Sequence, residues 1–412
     1  MFKNKIITEL KSISLLKSSI FKKQDIEKIN KIGLKDCFFG NNLFFQFLES
    51  LKSKNPIIVT DKNIATKYKD ILQNYDLIIL PQESSRLMAT IKIVDYLIDL
   101  LIKKKVKSQI YPIAFGCGTI CDIVKLSCKR LNINFSIIAS SLSMNGFASK
   151  TSSIVTNDIK HSFDSKLPEY IVFDEVILLE APQELKLAGF YDSLATITAN
   201  FDILLSNIYT DTHIDNTLIE DCFSLIIKIS KNIFINNRDL ALLLLIGGIG
   251  MSLNNSSFTA SGGEHILSHV IEMENNDLTF CNLYHGLQIG LLLKFCLKNQ
   301  IEISKNLLNF IDIKISRIKK EDIRNFFNYN DDKINQIIKS KEIKEGWEDR
   351  IKGNISKIAN ATKQLKELDF LLIKLDVEQK MYKFQITDKY LYTISKKAKC
   401  FRDRFTFIDL IS

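Results

Sequence analysis

The sequence changes character near residue 182, and this change narrows the folds open to the chain more than any other property. Before it, short runs rich in β-branched and aromatic residues, such as 56–60, 113–115 and 135–139, alternate with longer stretches such as 88–103. In those longer stretches apolar residues recur at spacings of three and four. The alternation predicts a parallel sheet with helices on both faces.

From residue 183 onward the sequence reads almost wholly as helices with polar connectors. The clearest helical patterns lie at 218–234, 239–253, 285–297 and 355–372. All five prolines fall at or before Pro182, which suits long uninterrupted helices after it because proline breaks them. We therefore predict an α/β domain at 1–182 and an all-α domain at 183–412.

The length of the chain indicates more than one domain, and its charge distribution argues against nucleic-acid binding. A chain of 412 residues is too long for one ordinary core. The net charge of +9 is dispersed in short clusters, whereas nucleic-acid binding calls for a concentrated basic patch. We therefore expect no nucleic-acid partner, while a positive field favours a small anionic substrate.

The cysteines and apolar runs indicate a cytoplasmic protein. None of the eight cysteines forms a CxxC pair, so neither a disulfide framework nor a cysteine zinc site follows. Residues 1–25 lack the uninterrupted apolar core of a signal peptide. The longest apolar run, 240–253, contains three glycines, and it is shorter than the roughly 20 residues that a membrane span needs.

A glycine-containing turn follows the strand predicted at 113–115. Gly116-Cys117-Gly118-Thr119 leads into a helical pattern that starts at Ile120. Glycines there let the backbone approach a phosphate, and free amides at the helix N-terminus supply donors. The Rossmann fingerprint is absent because position 121 is cysteine. The turn therefore predicts a pyrophosphate cradle, with a plain tight turn as the alternative.

Two further segments follow predicted strands. Asp61 comes directly after the strand that ends at Thr60, where a carboxylate can accept hydrogen bonds from the ribose diol of NAD. An N-cap for the next helix is the alternative. The serine-rich turn at 140–149 places hydroxyls and small residues after another strand, either lining the same crevice or forming an ordinary loop.

Histidine is rare in this chain, yet three of its five histidines fall within 261–269 and 283–286. His265 and His269 are four apart and share one face of a helix, so one can bind a metal while the other meets a substrate. His285 begins the next apolar helix. Two imidazoles and one carboxylate form an open, catalytic type of metal site, which polarises a carbonyl or stabilises an alkoxide. Asp192 is the candidate carboxylate, although spacing alone does not select it, and histidines that merely cap and hydrogen-bond are the alternative.

With these residues in view, the chain resembles the glycerol-1-phosphate dehydrogenases. They are a branch of the superfamily that also holds iron-containing alcohol dehydrogenases, glycerol dehydrogenases and dehydroquinate synthases. The resemblance covers most of the chain and rests on several motifs in the same order. These are Gly116-Cys117-Gly118-Thr119 with Asp122 and Lys125, the turn to Ser149, Ala181-Pro182, Ala188-Gly189-Phe190 with Asp192, Glu264-His265, Ser268-His269, His285-Gly286 and the closing residues 402–406.

The resemblance implies a dehydroquinate synthase-like fold, with a nucleotide-binding α/β domain, a helical domain, and a cleft for cofactor, metal and substrate. It implies reduction of dihydroxyacetone phosphate to sn-glycerol 1-phosphate with NADH or NADPH. Asp192, His265 and His285 are then ligands of zinc, with nickel or iron as alternatives. Asp192 and His269 are the expected catalytic residues, and both contact the substrate with Asn145. The expected dinucleotide contacts are Asp61, Gly116, Gly118, Thr119, Asp122, Ser140, Ser143 and Ser149.

Four positions depart from the family pattern. Asn145 stands where aspartate is usual, Tyr191 where glycine precedes the metal aspartate, Thr196 where lysine is usual, and Leu287 where glutamate follows His-Gly. The change at 196 removes a cation that a hydroxyl does not replace. We therefore expect an altered or larger substrate.

Two other functions remain open from the sequence. One is a cyclase of the dehydroquinate synthase type, which uses NAD transiently and eliminates phosphate; the closing residues 402–406 favour the dehydrogenase branch instead. The other is a diverged, non-catalytic member of the family, against which the three intact metal ligands argue. A homodimer or higher homo-oligomer is expected, but no sequence feature fixes the number of subunits.

Overall fold

The fold was analysed in a computed structural model. It describes residues 13–82, 86–105, 109–156, 159–214, 217–232, 235–274, 279–311, 313, 315, 317–375, 377 and 383–411. The chain divides into two compact units, one of Met1–Phe190 with Asn232–Ser256 and one of Tyr191–Lys231 with Ser257–Ser412. The predicted boundary at 182 stays a prediction, whereas this division passes through a helix between Phe190 and Tyr191 and returns 232–256 to the first unit.

The first unit is built on a sheet of seven strands, and a separate hairpin accompanies it. The strands are β1 Ile13–Ser14, β2 Asp36–Gly40, β3 Pro56–Thr60, β4 Asp76–Ile79, β5 Tyr111–Gly116, β6 Ser136–Ala139, β7 Thr151–Thr156, β8 Ile159–Asp164 and β9 Tyr170–Asp174. The sheet order is β1-β2-β9-β6-β5-β3-β4, and β7 pairs with β8. Every pair in the large sheet is parallel except β1 with β2, which confirms the predicted parallel sheet.

Burial explains why the central strands are continuously apolar. All six residues of β5 and all four of β6 are buried, as expected for strands covered on both faces. The core on one face collects Phe44, Phe47 and Phe115, with the rings of Phe44 and Phe115 5.1 Å apart. Fully burying a phenylalanine side chain contributes roughly 1.5–3 kcal/mol, so this cluster anchors the sheet.

Outside the strands, the described chain consists mainly of α-helices joined by loops and short 3-10 turns. Those preceding residue 182 are α1 Lys23–Lys31, α2 Leu43–Ser50, α3 Lys62–Lys67, α4 Lys69–Leu72, α5 Ile91–Lys105, α6 Gly118–Leu131 and α7 Glu175–Leu179. The later ones are α8 Gln183–Thr210, α9 Ile219–Ser230, α10 Asn237–Leu253, α11 Gly263–Glu274, α12 His285–Leu308, α13 Lys320–Phe326, α14 Asp331–Ser340, α15 Trp347–Gly353, α16 Ile355–Lys374, α17 Asp388–Ala398 and α18 Ile408–Ile411. The four long helices predicted in this region are present, although residues 233–234 of the first lie outside the described chain.

The helix α10 packs against a turn of the first unit, and two of its glycines make this close approach possible. A Cβ at Gly247 would lie 2.8 Å from the Asn145 side-chain oxygen, and one at Gly248 would lie 2.7 Å from the Asn145 carbonyl oxygen. The Ser252 hydroxyl donates to the Ala148 carbonyl at 2.7 Å. The short 3-10 turn Asn145–Ala148 therefore rests directly on this helix.

The second unit contains helices joined by loops and no strand among its described residues. Its long helices are the greater part of α8, together with α9, α11, α12, α16 and α17. No helix of the described chain combines the length and apolarity that crossing a membrane requires.

Candidate functional site

Three predicted nucleotide-site segments meet at one edge of the sheet in the first unit. β3, β5 and β6 are neighbours, and their carboxyl ends carry Asp61, the glycine turn and the serine-rich turn. The Ser140 amide donates to the Gly116 carbonyl at 3.0 Å, and the Thr60 hydroxyl donates to the Phe115 carbonyl at 2.8 Å. Ligands of open α/β sheets bind at such an edge.

The two glycines of this turn lie so close to neighbouring side chains that a Cβ at either position would be crowded. α6 begins at Gly118 with Cys117 as its N-cap residue. A Cβ at Gly116 would lie 2.4 Å from Ile120 Cδ1, and one at Gly118 would lie 3.3 Å from Met144 Sδ. The exposed amides of a helix N-terminus at this point suit a phosphate group.

Three of the predicted dinucleotide contacts also have partners within the first unit. Asp61 accepts from the Ile64 amide at 2.8 Å and thus caps α3, as the alternative interpretation held. Asp122 lies 3.0 Å from Lys125 Nζ and accepts from the Ser153 amide at 3.1 Å. The Ser149 hydroxyl lies 2.8 Å from that of Thr151. These contacts shape the edge, and contact of these side chains with a dinucleotide stays a prediction.

Lys125 is a residue whose role the sequence did not reveal. Its side chain is fully buried, and Nζ donates to the carbonyls of Gly146 at 3.0 Å and Thr151 at 2.6 Å. With Asp122 as its ion-pair partner, the lysine fastens the serine-rich turn to α6. A buried ammonium is tolerated only with such partners.

The predicted metal ligands come together in the second unit. Asp192 lies on α8, His265 on α11 and His285 at the start of α12. Their ligand atoms lie within 4.8 Å of one another, and theirs is the one such group of three among the described residues. His265 Nε2 is 3.2 Å from Asp192 Oδ1, and the rings of His265 and His285 are 5.1 Å apart.

The donor set fits a divalent ion. Ligand atoms around one tetrahedral zinc lie about 3.3 Å apart when each bond is about 2.0 Å, so the observed spread needs only a small inward rotation of side chains. Asp192 and His265 are buried, which keeps competing water away. Two imidazoles and one carboxylate leave a coordination position for a substrate.

His269 lies beside these ligands, as the helical spacing predicted. It is one turn after His265 on α11, and its ring stacks on that of His285 at 5.4 Å with an interplanar angle of 6°. Its Nδ1 lies 3.4 Å from Glu272 Oε2. The stacking places a second imidazole next to the ion-binding group.

Glu264, which precedes His265, has contacts that its place in the sequence did not predict. Its fully buried carboxylate meets Gly262 N at 2.6 Å, His265 Nδ1 at 2.9 Å and the Thr198 hydroxyl at 3.0 Å. The contact with Nδ1 leaves Nε2 of His265 facing Asp192. Burial alone would lower the pKa of His265, but hydrogen bonds with Asp192 and Glu264 and their charges raise it to about 9.

Asp202 connects the start of α11 with the closing segment of the chain. It accepts from the amides of Gly263 at 2.8 Å and Phe407 at 2.9 Å, and from Gln300 Nε2 at 3.0 Å. Burial and the nearby charge of Glu264 raise the pKa of Asp202 to about 8, against the lowering effect of those donors. The closing segment thus supports the helix that carries His265.

The departures from the family pattern have local structural explanations. The Tyr191 ring packs against Gly290, where a Cβ would lie 2.5 Å from the ring, so the bulky side chain fills a gap between α8 and α12. Thr196 is buried beside Cys222, while Leu287 is partly buried. Asn145 is buried in the first unit. An altered substrate stays a prediction.

The chain is similar to known proteins in both sequence and fold. The sequence profile of the iron-containing alcohol dehydrogenase family matches residues 43–182. A glycerol-1-phosphate dehydrogenase [NAD(P)+] of Bacillus velezensis is 27% identical over 277 residues, which cover 63% of this chain and 70% of that protein. The Bacillus subtilis enzyme of the same name is 30% identical over 201 residues, 47% of this chain and 51% of its own length.

Over part of its length the chain is similar to the iron-containing alcohol dehydrogenase family and to glycerol-1-phosphate dehydrogenases. The match spans only about half the length of the Bacillus subtilis relative. Among solved structures, an archaeal alcohol dehydrogenase from a Red Sea brine pool aligns with a TM-score of 0.57 at 14% identity, covering 89% of this chain and 91% of that one. At that identity the likeness concerns the fold alone, and it confirms the predicted α/β and helical architecture.

Proposed function

We propose that this protein is a metal-dependent, NAD(P)-linked oxidoreductase that interconverts dihydroxyacetone phosphate and sn-glycerol 1-phosphate or a closely related pair. The observation that carries the proposal is the convergence of Asp192, His265 and His285 in one group, in which the first two are buried and His285 is partly buried. The names of its sequence relatives supply the substrate and the cofactor class.

Each candidate site residue of the second unit has a defined task in this proposal. Asp192, His265 and His285 hold the divalent ion, for which we propose zinc. When bound, the ion would polarise the ketone while the nicotinamide exchanges a hydride with the carbonyl carbon. Glu264 fixes the ring of His265 through Nδ1, as outer carboxylates of metal sites do. His269, stacked on His285, borders the place where the substrate oxygen would lie.

The first unit would bind the dinucleotide. The amides at Gly118 and the following residues would meet the pyrophosphate, and Ser140 and Ser143 lie in the adjoining turn at the same sheet edge. Lys125 and α10 hold that turn in shape.

A direct test combines turnover with metal content. Purified protein loaded with zinc, or separately with nickel, is mixed with NADH or NADPH and dihydroxyacetone phosphate, and the loss of absorbance at the reduced-nicotinamide band is followed. The wild-type protein is expected to bind one ion per chain and to oxidise the cofactor. His285→Ala is expected to lose both properties.

His213→Ala is the matched control, because the side chain of His213 is 83% exposed and its one ion-pair partner among the described residues is Asp211 at 3.5 Å. It should behave as wild type. If zinc-loaded wild-type protein oxidises neither cofactor with any triose, tetrose or pentose keto-phosphate, the proposal is wrong; phosphate release without net redox change would point to a cyclase.

A further inference from the structure

The turn Phe401–Arg404 lies next to the candidate ion-binding group within the second unit. The Phe401 ring is buried, with its centroid 6.4 Å from the ring of His269. His269 in turn stacks on His285. The Phe401 side chain therefore links this turn to the residues assigned to the substrate.

Arg402 presents a guanidinium whose hydrogen-bonding capacity is unused. Its Cζ lies 4.8 Å from the Phe401 ring centroid, a cation–π contact. Among the described residues it makes neither a hydrogen bond nor an ion pair. Burial lowers the pKa of Arg402 below its usual value, yet an arginine in a protein stays charged. The five N–H donors of this partly buried guanidinium therefore have no acceptor among the described residues.

The neighbouring Asp403 attracts this cation but forms no ion pair with it. Asp403 is engaged by Lys333 Nζ at 3.3 Å and by the side-chain amide of Gln336. Arg404 donates to the Ser261 carbonyl at 2.7 Å and the Ser257 hydroxyl at 2.9 Å. Burial, and next the charge of Arg402, lower the pKa of Arg404 to about 10. Asp403, Glu264 and Asp202 oppose this effect on Arg404, whereas Arg402 forms no ion pair with any of them.

We propose that Arg402 binds the phosphate group of the substrate. The inference rests on the proposed function and adds to it the residue that selects a phosphorylated ketone over a plain one. A guanidinium pairs with phosphate through two parallel N–H···O bonds, which no other side chain offers.

The test compares dihydroxyacetone phosphate with dihydroxyacetone in the zinc-loaded enzyme. Arg402→Met is expected to lower kcat/KM for the phosphorylated ketone by about 10- to 100-fold, mainly through KM, as loss of a charge-assisted bond implies. It should change kcat/KM for dihydroxyacetone less than about twofold, since that ketone has no phosphate to lose. Arg402→Lys should recover part of the loss.

Arg324→Met is the matched control, because it removes the same charge from an exposed arginine that is paired with Asp331 at 2.7 Å. It should leave both ketones unaffected. An equal loss for both ketones in Arg402→Met would mean a structural role and overturn the inference. A loss confined to NADPH, with NADH unaffected, would assign the arginine to the cofactor phosphate and overturn it as well.

A binding measurement separates this inference from the proposed function. Inorganic phosphate is titrated calorimetrically into the zinc-loaded protein without nucleotide. Wild-type protein should bind it about tenfold more tightly than Arg402→Met. If the two bind phosphate equally, the inference fails whatever the turnover assay gives. If they differ but no ketone is reduced, the proposed reaction fails and the anion site stands.

Discussion

Glu264→Gln removes the charge behind His265 while keeping the shape of the side chain. The glutamine oxygen can still accept from Gly262 N and His265 Nδ1, which the native carboxylate meets at 2.6 and 2.9 Å. The Thr198 hydroxyl, now 3.0 Å from the other oxygen, can rotate to accept from the amide group. The substitution therefore tests charge rather than packing.

The expected magnitude follows from the bond to His265. A hydrogen bond to a charged acceptor contributes about 1.5–3 kcal/mol and a neutral one about 0.5–1.5 kcal/mol. The difference of roughly 1–1.5 kcal/mol corresponds to about tenfold weaker zinc binding, at the lower end of the 10- to 100-fold range known for outer residues of metal sites. Glu264→Ala should cost more, because it leaves buried donors without an acceptor.

The assay is competition for zinc against a chelating indicator, supported by the absorbance of the cobalt-substituted protein, which reports on ligand geometry. Glu272→Gln is the matched control, since Glu272 contacts His269, which is not assigned as a ligand. Its zinc affinity should equal that of wild type. If Glu264→Gln also binds zinc as tightly as wild type while Asp192→Asn does not bind it, the assigned role of Glu264 is refuted.

Three further predictions concern stability and are measured by denaturant unfolding. Asp202 has a raised pKa of about 8 when folded, so wild-type protein should lose stability between pH 5 and 7 relative to Asp202→Asn, by at most about 1.4 kcal/mol per pH unit; parallel pH profiles would contradict this. Gly247→Ala should destabilise by about 1–3 kcal/mol by displacing Asn145, whereas Gly353→Ala, with open space around it, should not destabilise; equal effects would speak against the packing argument. Lys125→Met should destabilise by about 3–5 kcal/mol because it strips a buried charge pair of one partner; an unchanged midpoint would show that the ion pair is dispensable.

Most of the fold was predictable because periodicity follows from burial. Strands such as β5 are apolar throughout since helices cover both faces, and α12 and α16 show the spacing of a half-buried helix. The place of α10 was not predictable in this way. Its apolar run fits any buried helix, and only long-range contacts, such as those of Gly247, Gly248 and Ser252 with a turn 100 residues earlier, place it in the first unit.

The candidate site was predictable where residue type and local spacing carry the chemistry. His265 and His269 are four apart, and scarcity made the histidines conspicuous. Asp192 came from the resemblance, because no local pattern ties it to residues some 70 positions later. Asp202 escaped notice because an acidic residue on a helix acquires meaning only through long-range contacts. Arg402 was noticed as part of the closing 402–406 motif, but without a role of its own.

The packing of α10 against the Asn145–Ala148 turn has a practical consequence for dissecting this protein. A fragment ending at residue 182 would lack α10. The Asn145–Ala148 turn would then lose its packing against Gly247 and Gly248 and the hydrogen bond from the Ser252 hydroxyl. No single cut in the gene yields this half intact. An isolated version would have to splice 232–256 back on through an engineered linker, or use a permuted gene.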